Sequence, residues 1–166
     1  MPDKSRHNKI QGQSLVEALV AMGVILIGVL GVFTLLTKSI GINRIVIDRY
    51  VATYIAAEGI EVVKNIIDTN IVKVPASPFN NGVTTGTYEV QYNDTSLQGA
   101  SGRTLLFDPN TKLFQYNFGN PTSFMRTIEI TTLSGGEEIQ VNSRVDYTTH
   151  GATFSINLED HFYNWR

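Results

Sequence analysis

The chain has 166 residues, a length that suits one domain with an appendage rather than two full domains. Its formal net charge is −2, which gives it no general attraction for nucleic acid. The sequence contains no cysteine, so neither disulfide bonds nor thiolate metal sites are expected. What remains informative is the uneven distribution of the apolar residues.

A short basic segment precedes a long uncharged one. Three basic residues stand against the single acid Asp3 in residues 1–12; they are Lys4, Arg6 and Lys9. From Ala18 to Thr37 no charged residue occurs, and a helix of that length spans about 30 Å, the thickness of a membrane's hydrocarbon core. We predict that residues 18–37 cross a membrane and that the basic flank keeps the amino terminus in the cytoplasm.

Two residues near the start of this segment are unusual. Gly12 lies before the apolar run, so cleavage beside it leaves the hydrophobic helix on the mature protein, unlike removal of a secretory signal peptide. Glu17 places a carboxylate where insertion costs about 2.5–3.5 kcal/mol, unless it lies near the membrane edge and reaches water. Cleavage after Gly12 would create an ammonium group on Gln13, four residues before Glu17. The two charges would then pair within one chain or between neighbouring chains.

The sequence GQSLVE at residues 12–17, followed by a hydrophobic helix, resembles the class III signal of type IV prepilins and pseudopilins. Residues 17–31 are most similar to minor pilins of the pilus-modification (PilV) branch and to I-type secretion pseudopilins, which commonly have glycines where Gly28 and Gly31 lie. Residues 56–61 (AAEGIE) also resemble a later helical part of that branch. The resemblance covers roughly residues 1–65.

This resemblance implies cleavage after Gly12 by a membrane-embedded prepilin peptidase. It also implies N-methylation of the new first residue, Gln13, and a role for Glu17 in docking into a growing filament. Gln13 departs from the family's pattern, because the mature chain most often begins with Phe or Met.

The apolar helix contains glycines but no proline. Many major pilins have a helix-kinking proline in mid-membrane, whereas no proline lies between Pro2 and Pro75. Gly23, Gly28 and Gly31 are expected either to weaken the helix locally or to allow close packing against other helices.

The helix is predicted to continue to about residue 68. Apolar residues recur at spacings of three, four or seven, the pattern of one covered helix face; they are Ile47, Val51, Tyr54, Ile55, Val62 and Ile66. We therefore divide the chain into a leader (residues 1–12), an amino-terminal helix (13–68) and a β-rich head (69–166) that opens with a loop at 70–86.

Six segments of the head have the composition of β-strands; they are Thr87–Tyr92, Thr104–Phe107, Leu113–Phe118, Arg126–Leu133, Ile139–Thr148 and Thr153–Leu158. Turns are predicted at residues 108–111, 134–137 and 149–152. The predicted fold is α+β: a long helical spine, transmembrane in its first half, packed against a C-terminal antiparallel β-sheet. We expect Phe162, Tyr163 and Trp165 to cap the core rather than to form an exposed contact patch.

No catalytic motif is present, so the sequence predicts that the protein is not an enzyme and has no cofactor. The histidines are His7 in the leader, His150 in a predicted turn and His161 near the C-terminus. Residues from Val74 onward include nine acids and five basic residues, which disfavours nucleic acid as a partner.

Two acidic pairs are candidate calcium ligands: Asp108 with Asn110, and Glu159 with Asp160. The ligand spacing of a calcium loop is missing around both pairs. We therefore favour turn or surface roles for them and predict no metal site.

The hypothesis that follows is a minor pilin or pseudopilin, a structural subunit of a type IV pilus-like filament. It predicts a single-pass cytoplasmic membrane protein with its N-terminus inside, which later joins an extracellular or periplasmic filament. Its partners would be the prepilin peptidase, the membrane assembly machinery and other pilin subunits. Within this class the alternative is a pseudopilin of a type II secretion or competence system.

An alternative of another class is a single-pass, membrane-anchored binding or adhesion protein that does not assemble. The pair formed by Gly12 and Glu17 distinguishes the two classes, because a simple anchor needs neither residue.

Overall fold

The structure, a computed structural model, describes residues 4–73 and 78–164, and for residues 4–12 only the helical backbone. Its contacts divide the chain into two compact units, Met1–Asn43 and Arg44–Arg166. One helix, α1, runs from Lys4 to Lys73 and so extends past its predicted end near residue 68. The side chain of Asn70 does not break the helix; its amide donates to the carbonyl of Asn81 (2.7 Å).

Within residues 78–164, eight strands follow α1. They are β1 (Gly86–Glu89), β2 (Gln98–Gly99), β3 (Leu106–Phe107), β4 (Phe114–Gln115), β5 (Asn120–Pro121), β6 (Met125–Leu133), β7 (Glu138–Thr149) and β8 (Ala152–Tyr163). All six predicted strands are present, although β1, β3 and β4 are shorter than predicted. The two-residue strands β2 and β5 were not predicted, because so short a segment carries no periodicity.

The main sheet is antiparallel, with the strand order β2-β1-β6-β7-β8. β7 and β8 pair over twelve residues, from Glu138 opposite Tyr163 to Thr149 opposite Ala152. The predicted turn between them is confirmed: His150 and Gly151 both have positive φ (51° and 77°), as a two-residue hairpin turn of type I′ requires. A second sheet, with the order β4-β3-β5, has the predicted turn at residues 108–111 between β3 and β4.

Residues 44–73 of α1 pack against one face of the main sheet, which confirms the predicted α+β fold. Two apolar clusters fill this contact. The first contains Val62, Val63, Ile66, Ile67, Phe79, Val83, Val90, Ile128, Ile130, Ile139 and Val141. The second contains Ala52, Ile55, Ala56, Leu105, Phe124, Val145 and Tyr147.

The helix face that meets the sheet differs from the predicted stripe. Three predicted residues are buried; they are Ile55, Val62 and Ile66. The prediction was wrong for Ile47 and Tyr54, whose exposed fractions are 60% and 74%. The sheet instead meets the face that carries Ala52, Ala56 and Gly59, because small side chains let a helix and a sheet approach closely.

The predicted aromatic cap is correct only in part. Phe162 packs against the first apolar cluster. Tyr163 is 44% exposed, so the prediction that it caps the core was wrong. Trp165 lies outside the described residues.

Gly59 marks the closest approach of α1 to the sheet. A Cβ atom at this position would lie 2.6 Å from Ser143 Oγ, 2.7 Å from Ile128 Cδ1 and 3.0 Å from Arg126 Cδ. These neighbours are fully buried, so they have little room to move aside. Glycine is therefore required by the packing at this point.

Beside Gly59 lies the fully buried side chain of Arg126, on β6. Its Nη1 donates to the carbonyl of Ile55 (2.9 Å) and lies 3.3 Å from Glu58 Oε1. Its Nη2 donates to the carbonyl of Val90, which follows β1. The guanidinium group thus ties the helix, β6 and the end of β1 together.

We expect Gly59→Ala to destabilise the head by about 1–3 kcal/mol, because the added methyl group overpacks a closed contact. Gly41→Ala is the matched control in the same helix, where a Cβ meets no atom within 4 Å. That control should be neutral or stabilising by up to about 1 kcal/mol. Thermal unfolding of the detergent-solubilised chain, followed by circular dichroism, measures both effects. Equal unfolding midpoints for the two variants would contradict the packing role of Gly59.

Glu89 organises the segment that follows β2. Its carboxylate is 2% exposed and accepts hydrogen bonds from the backbone N–H groups of Ser101 (2.8 Å) and Arg103 (3.1 Å). The Arg103 guanidinium also donates to it, and lies over the ring of Tyr116. Burial raises the pKa of the Glu89 carboxyl, but the hydrogen bonds from Arg103 and Ser101 outweigh burial and hold that pKa below its usual value.

A carboxyl group whose pKa is lower in the folded than in the unfolded chain stabilises the fold above the unfolded pKa. This stabilisation is lost as the pH falls through the folded pKa. We therefore expect Glu89→Gln to have a lower Tm than wild type at neutral pH, and the difference to shrink as the pH falls below the ordinary glutamate pKa of about 4.3. Glu129→Gln, an exposed change on β6, is the control for general charge effects. A Tm difference for Glu89→Gln that stays constant with pH would contradict this role.

Candidate functional site: the amino-terminal helix

In the first unit, the apolar side chains of α1 are exposed. From Leu15 to Leu36 the large hydrophobic residues have exposed fractions of 46–74%. Of the described residues, Gln13–Lys73 is the single helix long and apolar enough to cross a membrane, with a mean hydropathy of 2.7 in its most apolar window. The described chain does not cover this surface itself, so lipid or other helices must do so.

Glu17 is an exposed residue of this helix and interrupts its apolar surface. At 100° per residue, Ala21, Val24, Gly28 and Gly31 lie within about 40° of Glu17 around the helix axis. The carboxylate therefore shares one helix face with three small residues. We call this set (Glu17, Ala21, Val24, Gly28, Gly31) the Glu17 face.

The three glycines in the apolar segment of α1 have no packing role within the described chain. A Cβ at Gly23, Gly28 or Gly31 would meet no atom within 4 Å. Gly28 and Gly31 lie on the Glu17 face, whereas Gly23 lies about 120° away from Glu17. A glycine without an internal role leaves space for close approach of a second helix.

The hydroxyl groups in the apolar segment are satisfied inside the helix. Thr34 Oγ1 donates to the carbonyl of Leu30 (2.9 Å), and Thr37 Oγ1 donates to that of Phe33 (3.0 Å). Such bonds remove the penalty for placing a hydroxyl in hydrocarbon. Glu17 is then the single ionisable side chain between Gln13 and Thr37.

The predicted processing site is described only in part. The leader (residues 1–12), including Gly12 and His7, lies outside the residues whose side chains the structure describes. Gln13 is exposed and helical. One helical turn separates Gln13 from Glu17, so the two residues lie on neighbouring parts of the surface.

The first of the two candidate calcium pairs is part of a turn. Asp108 is 2% exposed; its Oδ1 accepts from the N–H of Asn110 (2.9 Å) and its Oδ2 from the hydroxyl of Thr111 (2.8 Å). These bonds, the backbone bond of Asn110 first, hold the pKa of the Asp108 carboxyl below its usual value. The turn residues themselves thus use both carboxylate oxygens.

The second pair lies on β8, beside His161. One ring nitrogen of His161 lies 2.7 Å from Glu138 and the other 3.1 Å from Glu159, and the hydrogen bond with Glu138 is the main reason that the pKa of His161 is raised. Asp160 accepts the backbone N–H of His161 (2.9 Å). The described residues contain no group of three or more His, Cys, Asp or Glu placed to hold a metal ion.

Sequence reasoning missed two of the buried charged residues, Arg126 and Glu89. Arg126 had a usable signal, because strand alternation places it on the same face as Ile128 and Ile130, and a charge on a buried face needs a partner. Glu89 had no such signal, since a loop distant in sequence buries it.

The first part of α1 matches a known sequence family. A family model described as the prokaryotic N-terminal methylation motif matches residues 7–33. The matched range contains Gly12, Gln13 and Glu17, together with Gly28 and Gly31 of the Glu17 face. No curated protein and no solved structure matches the chain.

The methylation motif, the exposed apolar helix and the α+β head together support a type IV pilin-like prepilin. Proteins of this class are structural rather than enzymatic. The long apolar helix also fits a membrane-anchored pilin.

Proposed function

We propose that this chain is a minor pilin or pseudopilin, a structural subunit of a type IV pilus-like filament. It is cut after Gly12, methylated on Gln13 and assembled through its hydrophobic helix. The observation that carries the proposal is the methylation motif at residues 7–33, which coincides with an apolar helix that the described chain leaves uncovered.

Before assembly the protein is anchored by residues 18–37, with Lys4, Arg6 and Lys9 holding the N-terminus in the cytoplasm. The prepilin peptidase removes residues 1–12 at the inner membrane face. Residues 39–166 lie outside the cytoplasm. The partners are the peptidase, the assembly machinery and other subunits that offer a similar helix.

Glu17 directs the entry of the helix into the filament. Cleavage gives Gln13 a positive charge, and a carboxylate in apolar surroundings gains most from an ammonium group that is also removed from water. Glu17 of an incoming subunit pairs with such a charge, either its own or a neighbour's. This pairing fixes how far one helix slides along another.

The rest of the Glu17 face supports the same contact. Its small residues, Ala21, Gly28 and Gly31, let a neighbouring helix approach closely, which favours van der Waals packing where hydrophobic driving force is absent. A simple anchor needs neither an ionisable group nor a small-residue face beside it. This comparison favours assembly over the alternative of a non-assembling anchor.

The processing step is tested by Gly12→Val. A bulky β-branched residue next to the scissile bond should block cleavage and leave the uncut precursor in the membrane. Gly23→Val is the control, because it adds the same side chain beyond the site. Mass spectrometry of the mature N-terminus measures the outcome. Normal trimming of Gly12→Val would show that the site lies elsewhere.

The assembly step is tested by Glu17→Ala and by a matched pair of glycine variants. Loss of the Glu17 carboxylate leaves a buried ammonium without its partner, at a cost of about 3–5 kcal/mol, so incorporation should fall by at least about 100-fold. Gly28→Leu should also block incorporation, whereas Gly23→Leu, away from the Glu17 face, should not. The measurement is the amount of each variant in sheared filaments at equal membrane levels.

Glu61→Ala, an exposed acid in the second half of α1, is the charge control. All four variants of the assembly test, Glu61→Ala included, should be cleaved normally after Gly12. Equal incorporation of wild type and Glu17→Ala would remove the basis of the mechanism. Equal incorporation of Gly28→Leu and Gly23→Leu would contradict the role of the Glu17 face in helix packing, but not the charge pairing of Glu17.

A further inference from the structure

Strand β8 is a long edge of the main sheet. It is the outermost strand and pairs with β7 through all twelve residues, without a bulge. The opposite edge, β2, is only two residues long. β8 is therefore the one extended edge that the main sheet offers in the described chain.

The hydrogen-bonding direction along β8 follows from two bonds. The N–H of Asn164 donates to the carbonyl of Glu137 (2.9 Å), so even-numbered residues of β8 bond to β7. The N–H of His161 instead donates to Asp160 Oδ1, as expected for a residue that faces the free edge. The odd-numbered residues therefore point their N–H and C=O groups away from β7. Those without a backbone partner in the described chain are Thr153, Ser155, Asn157 and Glu159.

The side chains on the helix-facing side of this edge are apolar. Phe154, Ile156 and Leu158 lie opposite Tyr147, Val145 and Ser143, which are all buried. Phe154 is 37% exposed, and Ile156 and Leu158 are only partly buried against the second apolar cluster. The apolar layer between α1 and the main sheet therefore ends at β8, where its outermost side chains are only partly covered.

The edge is blocked at one end only. Asp160 uses its carboxylate to occupy the outward N–H of His161, and it also places a charge in the apolar row between Leu158 and Phe162. Both are recognised devices against further strand pairing. Residues 153–158 contain no charged residue, proline or bulge, so these devices do not protect them, and Glu159 is the single charge of the segment 153–159.

We propose that residues 153–159 of β8 accept an extended segment of a neighbouring, non-identical filament subunit as an added strand. This inference rests on the proposed function, since the occupant is another subunit. The segment has alternating apolar residues that cover Phe154, Ile156 and Leu158. It carries Lys or Arg opposite Glu159 and Asp160, because both place a carboxylate at that end of β8 and, within the described chain, only Glu159 is paired, with His161.

A second copy of β8 does not fit this edge. Antiparallel self-pairing would reverse α1 of one copy relative to the other, whereas copies inserted into one membrane enter with α1 in the same direction. Parallel self-pairing keeps that direction but turns one sheet over. The polar row with Ser155 and Asn157 would then lie beside the apolar row of the other copy. The added strand must therefore be a segment other than β8, and we assign it to a non-identical subunit.

Hydrogen exchange at single-amide resolution tests the proposal on the full chain, first in detergent and then in sheared filaments. The amides of Ser155, Asn157 and Glu159 should exchange rapidly in detergent. In filaments they should exchange at least about tenfold more slowly. The amides of Ile156 and Leu158, which bond to β7, should be protected in both states and serve as internal controls.

A matched pair of variants tests the same contact by incorporation. Asn157→Pro removes an outward N–H without removing a bond to β7, a change that edge strands tolerate. Asn157→Ala loses the same side chain, with its bond to Asn142, but keeps the N–H. We expect Asn157→Pro to enter filaments at least about tenfold less than Asn157→Ala at equal membrane levels.

The outcomes separate this inference from the proposed function. A chain that is absent from filaments overturns both. If the wild type enters filaments but the amides of Ser155, Asn157 and Glu159 still exchange rapidly there, the added strand alone is overturned. Equal incorporation of folded Asn157→Pro and Asn157→Ala does the same; if Asn157→Pro fails to fold, the wild-type exchange result decides.

Discussion

The head depends on one close contact, in which the guanidinium group of Arg126 is buried under α1 beside Gly59. A buried cation is tolerated only when most of its donors are used. Arg126 uses both Nη atoms, on the carbonyls of Ile55 and Val90 and on Glu58, while its Nε has no partner in the described residues. These bonds need the helix backbone close to the sheet, and Gly59 permits that distance. The contact also fixes which face of α1 the sheet covers, so the exposure of Ile47 and Tyr54 follows from it.

The apolar side chains in the two parts of α1 are covered in different ways. Residues 44–73 bury one helix face against the protein's own sheet, and the small residues of α1 determine which face this is. Residues 13–43 expose apolar side chains on all sides, and Gly28 and Gly31 have no internal neighbour to accommodate. Small residues therefore serve a contact within the chain in one part, and in the other they are free for contacts with other chains.

The sequence was sufficient where a signal was local and periodic. The uncharged run from Ala18 to Thr37, the alternation in β6 to β8 and the glycine in the β7–β8 turn each predicted the observed element. Prediction failed where distant segments decide the outcome. The largest apolar residues of α1 indicated the wrong face because Gly59 and Arg126 determine the contact, and Glu89 is buried only by residues that follow β2. Strands of two residues, such as β2 and β5, exist only through their pairing.

If the chain assembles as we propose, the physical reason for an ionisable residue in the apolar helix lies in the balance between two similar environments. Lipid and a bundle of apolar helices solvate residues 18–37 almost equally well, so moving the helix from one to the other changes its hydrophobic free energy little. Neither environment then determines direction or register. A carboxylate changes this, because it is costly in lipid and stabilised where an ammonium group faces it. In the assembly that we propose, Glu17 would thus make a nearly neutral transfer favourable at one register only, and the small residues on its face would allow the helices to reach that register.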